Sequence, residues 1–161
     1  MNIEIDSEEE KNLRKELATR EDADSKRMAR FLGMSDLTRT EGSPIKELIV
    51  KILEIPRIAN LDVIKVPEIV PASVSFDLFN FPSDHPARSK SDTYYVDEKN
   101  ILRTHTTVMW YYYLNQQEIK ERIAKSVIKK NKPVFIGLFI LIELHIKKKQ
   151  FIERIAHARA F

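Results

Sequence analysis

Cysteine is absent from the sequence, and only three of its 161 residues are glycine. The lack of cysteine excludes disulfide frameworks, thiolate metal sites and cysteine nucleophiles. With so little glycine, the glycine-rich loops that cradle phosphates are absent as well. The one long apolar run, residues 134–142, is well short of the ~18–20 residues that span a bilayer. We therefore expect no membrane span and interpret this run as a buried strand.

The chain carries little excess charge. Its formal net charge of +3 is too small to argue for a nucleic-acid partner. The start is acidic and the end is basic; a basic end could contact a phosphate backbone, and solvated helix faces explain it equally well. A hydrophobic share of 43% and a charged share of 32% are typical of one globular domain. The first residues form no signal peptide, so we expect a cytoplasmic protein.

Three helices are predicted before residue 56. Ser7 and Glu10 have the spacing of a capping box. A second helix is predicted from about Asp24 to Leu32, where a glycine follows as the stop. Ser43 and the proline after it start a third helix. That helix carries one continuous apolar stripe, formed by Ile45, Leu48, Ile49, Ile52 and Leu53.

The remaining pattern completes an α+β fold. We predict strands at 62–70, 93–96, 101–106 and 134–144, and helices at 108–130 and 147–158. The strand at 62–70 contains Pro67, which belongs at an edge or interface because proline has no N–H to donate to a neighbouring strand.

Three short motifs follow one another in the middle of the chain. They read Phe-Pro-Ser-Asp-His-Pro-Ala-Arg at 81–88, Asp-Thr-Tyr-Tyr-Val at 92–96 and Leu-Arg-Thr-His-Thr at 102–106. In this order and at this spacing they resemble the opening of the catalytic domain in the α subunit of phenylalanyl-tRNA synthetase, a class II aminoacyl-tRNA ligase. The resemblance covers about residues 25–125 and disappears beyond about residue 130.

The resemblance implies N-terminal helices followed by part of a class II antiparallel sheet. It divides the chain into a helical extension at 1–42, a partial catalytic domain at 43–133 and a divergent segment at 134–161. The third helix and the strand at 62–70 are similar to motif 1, which builds the subunit interface in this family. The interface residues implied are Ile45, Leu48, Ile49, Ile52 and Pro67. On the pattern alone, an ordinary core helix and edge strand explain them too.

The Arg-Thr-His-Thr stretch carries the candidate substrate contacts. On a strand, Arg103, His105 and Thr107 would share one face. In the family, this histidine and the hydroxyl residue two places on help hold the amino and carboxyl groups of phenylalanine. The resemblance therefore implies phenylalanine-binding roles for His105 and Thr107, whereas spacing alone leaves a structural histidine as the alternative. No catalytic residue is assigned.

The polar side chains of the loop around Pro82 and Pro86 have a structural interpretation. We expect them to lock local structure beside the active site, with Arg88 and Asp92 as partners. A metal site is the alternative, but the spacing of the histidines and aspartates matches no ligand pattern, so we predict no metal. The loop residues concerned are Asp84, His85, Arg88 and Asp92.

The resemblance also implies what the full enzyme needs. Such a ligase activates phenylalanine with ATP and Mg²⁺ and transfers it to tRNA, as an α₂β₂ assembly with a β subunit and a second α subunit. Arginines and magnesium must neutralise the reacting anions, and the arginines of motifs 2 and 3 are not found here. We therefore expect a truncated or frame-shifted reading of the gene, inactive and without a tightly bound cofactor by itself, or else a divergent paralogue. A non-catalytic module that binds a subunit or RNA is the alternative function.

Overall fold

The computed structural model describes residues 2–57, 59 and 61–128. The predictions for 134–144 and 147–158 fall outside these residues. Helices are α1 (Glu8–Thr19), α2 (Ala23–Leu32), α3 (Pro44–Leu53), α4 (Ala72–Ser75), α5 (Val108–Leu114) and α6 (Gln117–Ile128). Strands are β1 (Asn2–Glu4), β2 (Val63–Lys65), β3 (Ile69–Pro71) and β4 (Asn100–Leu102), and 3₁₀ turns occupy Asp77–Phe79 and Pro86–Arg88. The mixture of helix and strand confirms the α+β class.

Side-chain caps start the first three helices, and two of the three begin where the sequence predicts them. The Ser7 hydroxyl accepts a hydrogen bond from the Glu10 amide at 3.1 Å. The Ser43 hydroxyl accepts from the Ile45 amide at 3.3 Å, and the proline between them occupies the first helical position. Asp22 caps α2, so this helix begins one residue earlier than expected. Each cap satisfies an amide that has no partner inside its helix.

Two small sheets organise the strands. β1 pairs in parallel with β2, and β3 pairs antiparallel with β4. The predicted strand at 62–70 is instead two strands, because Val66–Glu68 leave the ladder. Pro67 has no amide hydrogen to donate, and the Glu68 amide donates to the Glu10 carboxylate at 3.2 Å. Pro67 is therefore buried at a break between strands and does not lie at a sheet edge.

Two other predicted elements are shorter than expected. The strand predicted at 101–106 ends at Leu102, after which a turn leads into α5. The strand predicted at 93–96 is reduced to one bridge, between Tyr95 and Ile101. The helix predicted at 108–130 is interrupted between α5 and α6, where the Asn115 side-chain amide bonds back to the Tyr111 carbonyl at 2.8 Å. Asparagine favours such local bonds over continuing a helix.

Three apolar clusters form the core. The first joins α1 and α2 to the β3–β4 pair, the second joins β2 to α5 and α6, and the third lies under α4 and the loop after it. Their largest fully buried side chains are Phe76, Leu17, Ile101, Met109 and Ile119. In the described ranges no helix has the length and apolarity that crossing a membrane requires.

Helix α3 contributes no fully buried residue. Its predicted apolar stripe is formed, but Leu48 is 50% exposed, and Val50 on the same helix is 48% exposed. The interpretation of this helix as part of the core is therefore wrong for the described chain. Burial of the stripe against a partner subunit stays a prediction.

Candidate functional site

The imidazole of His105 lies in a polar and aromatic environment just beyond β4. Its Nε2 is 2.9 Å from the Ser75 carbonyl oxygen, and its ring meets Phe79 edge-on with centroids 5.4 Å apart. A carbonyl oxygen only accepts hydrogen bonds, so Nε2 must carry the hydrogen. In the neutral ring Nδ1 is then an acceptor. This Nδ1 is buried and has no hydrogen-bond partner among the described residues.

Phe81 joins the His105 stretch to the Asp-His-Pro-Ala-Arg loop. Its ring stacks on the His85 imidazole, with centroids 4.6 Å apart and planes 18° from parallel. The same ring lies 6.3 Å from His105 and 6.0 Å from Phe76. Just before it, Asn80 has a left-handed backbone (φ 55°), which asparagine tolerates better than most residues. This turn at Asn80 lets the chain reverse and bring Phe81 back over the cluster.

The loop itself is held by local bonds. His85 precedes the turn at Pro86–Arg88 and accepts the Ala87 amide at its Nδ1, 3.1 Å away. Arg88 does not form the pair with Asp92 that the sequence predicts. Its Nη2 donates to the Asp77 carboxylate and to the Phe81 carbonyl, because the turn directs the guanidinium back towards the start of the loop.

The Asp-Thr-Tyr-Tyr-Val motif fastens the loop from the other side. The Thr93 hydroxyl donates to the Ala87 carbonyl at 2.7 Å, and the Tyr95 hydroxyl donates to the Arg88 carbonyl at 2.8 Å. Tyr95 is also the residue bridged to Ile101, next to β4. All three sequence motifs are therefore in contact with one another.

The remaining predicted residues have no part in the contacts described above. Asp84 is exposed, and exposed Asp92 accepts bonds from the hydroxyls of Ser89 and Ser91. Thr107 is exposed at the N-cap of α5, where its side chain makes no capping bond. Because the strand ends at Leu102, Thr107 does not share a strand face with His105, and that part of the prediction is wrong.

A second polar cluster surrounds Arg14 and Arg103. Arg14 Nη2 binds the carboxylates of Glu10 and Glu68, at 2.5 and 2.8 Å. Burial would lower the pKa of Arg14, but these two carboxylates outweigh it and raise the pKa. Arg103 is 3% exposed and donates from Nε to the Pro67 carbonyl at 3.2 Å. Burial lowers the pKa of Arg103, and nearby Glu68 only partly offsets this.

Sequence reasoning missed the groups that surround His105. These are the Ser75 carbonyl, Phe79 and Phe81. The spacing of two phenylalanines around Asn80 could have indicated a tight aromatic turn. A main-chain carbonyl leaves no signal in a sequence, so the partner of Nε2 was not predictable.

The residues described here offer no group of three histidine, aspartate or glutamate side chains that could hold a metal ion. Neither the Asp84–His85 loop nor Asp92 brings its carboxylates together with His105. The structure therefore identifies no protein ligand set for Mg²⁺ within 2–57, 59 and 61–128.

Comparison with known proteins adds a family match. The model of the class II core domain of tRNA synthetases (F) matches residues 29–130. This stretch contains helix α3, the loop motif and the His105 region. It is more than half of the chain.

Curated relatives carry phenylalanine–tRNA ligase names. The α subunit from Mycoplasmoides gallisepticum is 39% identical over 72 residues, 45% of this chain and 21% of the relative. The α subunit from Acaryochloris marina is 36% identical over 81 residues, 50% of this chain and 24% of the relative. The mitochondrial enzyme of Saccharomyces cerevisiae is 56% identical over 39 residues, 24% of this chain and 8% of the relative. The chain thus spans less than a quarter of each of these relatives. No solved structure matches it.

Proposed function

This chain belongs to the family of class II tRNA synthetase core domains, and on that basis we propose that it is a segment of the α subunit of a phenylalanine–tRNA ligase. In the full enzyme such a subunit activates phenylalanine with ATP and transfers it to tRNA. The observation that carries the proposal is the contact of all three motifs through Phe81, Thr93 and Tyr95. Separate chance matches would have no reason to pack against one another.

Within that function, His105 would bind the amino group of phenylalanine. Its buried Nδ1 is an acceptor in the neutral ring and has no partner in the described part of the chain, and a substrate ammonium group would supply the missing donor. Thr107 would contact the carboxylate with its hydroxyl. Since Thr107 is exposed and lies in a turn, its approach to a ligand differs from that of a strand residue.

The nucleotide part of the reaction would need further residues. ATP and Mg²⁺ are proposed cofactors of the full enzyme, and the described residues provide no metal-ligand group for them. The described segment would orient the amino acid, while groups that neutralise phosphate charge would come from elsewhere.

Helix α3 would lie at a subunit interface. Leu48 of its continuous apolar stripe is 50% exposed and the other four stripe residues are only half-buried, and exposed apolar faces on soluble proteins mark interaction sites. We propose a second α subunit and a β subunit as partners, in the α₂β₂ arrangement, with tRNA as the second substrate. We also propose a cytoplasmic location. The same exposed face also favours the alternative function, a non-catalytic module that binds a subunit or RNA.

A chimeric enzyme separates the two functions. Residues 29–128 would replace the corresponding segment of an active phenylalanine–tRNA ligase α subunit, which is then combined with its β subunit. We expect phenylalanine-dependent ATP–pyrophosphate exchange, reduced when His105 is changed to Ala. Assembly with the β subunit but no exchange would contradict the ligase proposal and favour the interaction module. The isolated 161-residue chain should show no exchange, because one missing charge-stabilising group costs about 10²–10³ in rate.

A further inference from the structure

Arg103 is one of the residues that line a cavity separate from the His105 cluster. The cavity has a volume of about 350 Å³ and lies between the start of α1, the end of α2 and the break between β2 and β3. Neither His105 nor Thr107 lines it. Its apolar wall is formed by Ile5, Leu32, Val66 and Pro67.

Among the described residues, the ion pairs of this cavity include every charged lining side chain except Arg103. Four of the five basic side chains that line it are in ion pairs, and all four of the acidic ones are. Arg103 is in no ion pair within the described part of the chain. Its Nε bonds to the Pro67 carbonyl, while its Nη1 is buried without a hydrogen-bond partner among the described residues. The two carboxylates whose charges act most strongly on Arg103 are those of Glu68 and Glu10. Both are in ion pairs with Arg14.

An unpaired charge is costly to bury. Guanidinium is always charged in proteins, and removing it from water without an anion or full hydrogen bonding is strongly unfavourable. Water alone would not neutralise the charge, although the cavity is more than large enough for it. The volume falls in the lower part of the range for small-molecule sites. An anionic ligand with an apolar portion would match both the unpaired charge and the apolar wall.

We infer that this cavity is a binding site for a small oxyanion, a carboxylate or phosphate group, that pairs with the Arg103 guanidinium. Arginine suits both groups because its planar fork can donate two parallel hydrogen bonds to neighbouring oxygens. The apolar body of the ligand packs beside Leu32 and Val66. The site is independent of phenylalanine activation, since it shares no lining residue with the proposed amino-acid contacts.

Thermal unfolding of the full chain tests the site. Midpoints are measured in inorganic phosphate and in acetate, each against chloride at matched ionic strength. A ligand present at about ten times its Kd raises the folded-to-unfolded ratio about 11-fold, and we expect this from at least one of the two anions. The anion that raises the unfolding midpoint shows whether the ligand group is a phosphate or a carboxylate. Arg103→Met should abolish the rise, and the matched control Arg57→Met, an exposed arginine outside the cavity, should keep it.

A second measurement covers the case in which Arg103→Met does not fold. The Nε–H resonance of Arg103 in the wild-type chain, assigned with the help of Arg103→Lys, should shift saturably with the effective anion and not with chloride. A wild-type resonance that no anion shifts would overturn the inference. So would an anion effect of equal size in Arg103→Met, because binding would then be elsewhere.

Discussion

The ring of Phe81 stacks on the imidazole of His85, with centroids 4.6 Å apart. His85 in turn accepts the Ala87 amide with Nδ1, so one histidine both caps a turn and supports an aromatic ring. Because that ring also reaches His105, the order of the loop and the position of the candidate substrate contact are coupled.

Replacing Phe81 by Leu tests this coupling. Leucine retains apolar volume but loses the stacked geometry, which is worth about 0.5–1.5 kcal/mol beyond buried area. We expect the free energy of unfolding in urea to fall by that amount. The control Leu78→Ala changes a side chain that is 51% exposed and should stay within about 0.5 kcal/mol of wild type. Equal losses in both variants would argue against a specific role for the stack.

His105→Ala should weaken phenylalanine binding in the chimeric enzyme. A hydrogen bond to a charged group is worth roughly 1.5–3 kcal/mol, which corresponds to a rise in the phenylalanine KM of about ten- to hundredfold. Two conservative variants locate the contact on the ring. Asn places a polar atom near the position of Nδ1 and Gln near that of Nε2, so His105→Asn should retain more affinity than His105→Gln. Unchanged phenylalanine kinetics in all three variants would remove His105 from the pocket.

Leu48→Gln should separate stability from association. The side chain is 50% exposed in the single chain, so the free energy of unfolding should change by less than about 0.5 kcal/mol. Burying the exposed half of this leucine at an interface is worth about half of the roughly 1.5–3 kcal/mol for full burial, so association with a partner subunit, measured by sedimentation velocity, should weaken about three- to tenfold. Lys51→Gln, at an exposed position on the same helix, is the control. Unaltered assembly of Leu48→Gln would exclude α3 from the interface.

Asp62 should make the fold sensitive to acid. Burial raises the pKa of this carboxyl, but bonds from the Tyr113 hydroxyl and Arg122, both 2.6 Å long, outweigh burial and hold the pKa below its ordinary 3.8. A lowered folded-state pKa means that the stabilisation is complete above the unfolded value and is lost as pH falls through the folded one. Below pH 3.8, wild type should therefore lose stability more steeply than Asp62→Asn.

Chemical denaturation at a series of pH values measures this difference. Asp84→Asn, which removes an exposed carboxylate outside the cluster, is the matched control for the change in charge. Parallel stability curves for wild type and Asp62→Asn between neutral pH and the acid limb would contradict the assignment.

Local signals in the sequence predicted the helix starts well. Ser7, Ser43 and the proline at position 44 act through bonds and backbone angles within a few residues, so their effect does not depend on the rest of the fold. The motif at 81–88 was likewise identifiable as a fixed loop. The predicted partner of Arg88, Asp92, was wrong. Asp77 and Asp92 lie on opposite sides of Arg88 in the sequence, and only the folded turn selects Asp77.

Long-range bonds explain the larger differences. A continuous strand through Pro67 was predicted without knowledge that Glu10, 58 residues away, accepts the Glu68 amide. The prediction that His105 and Thr107 share a strand face is wrong because the turn into α5 begins directly after the histidine. Burial of Arg103 was equally invisible, since an arginine in a strand pattern is normally interpreted as solvent-facing.

The parallel pairing of β1 with β2 fixes an order of events during synthesis on the ribosome. Glu4 and Lys65 are joined across 61 residues, so β1 has no partner until the whole of β2 has emerged. Helices α1 and α2 contact each other and can associate long before that point. The first strand of the chain is therefore secured only after the two helices that follow it, and slow translation between residues 20 and 65 should leave it open to proteases acting on the nascent chain.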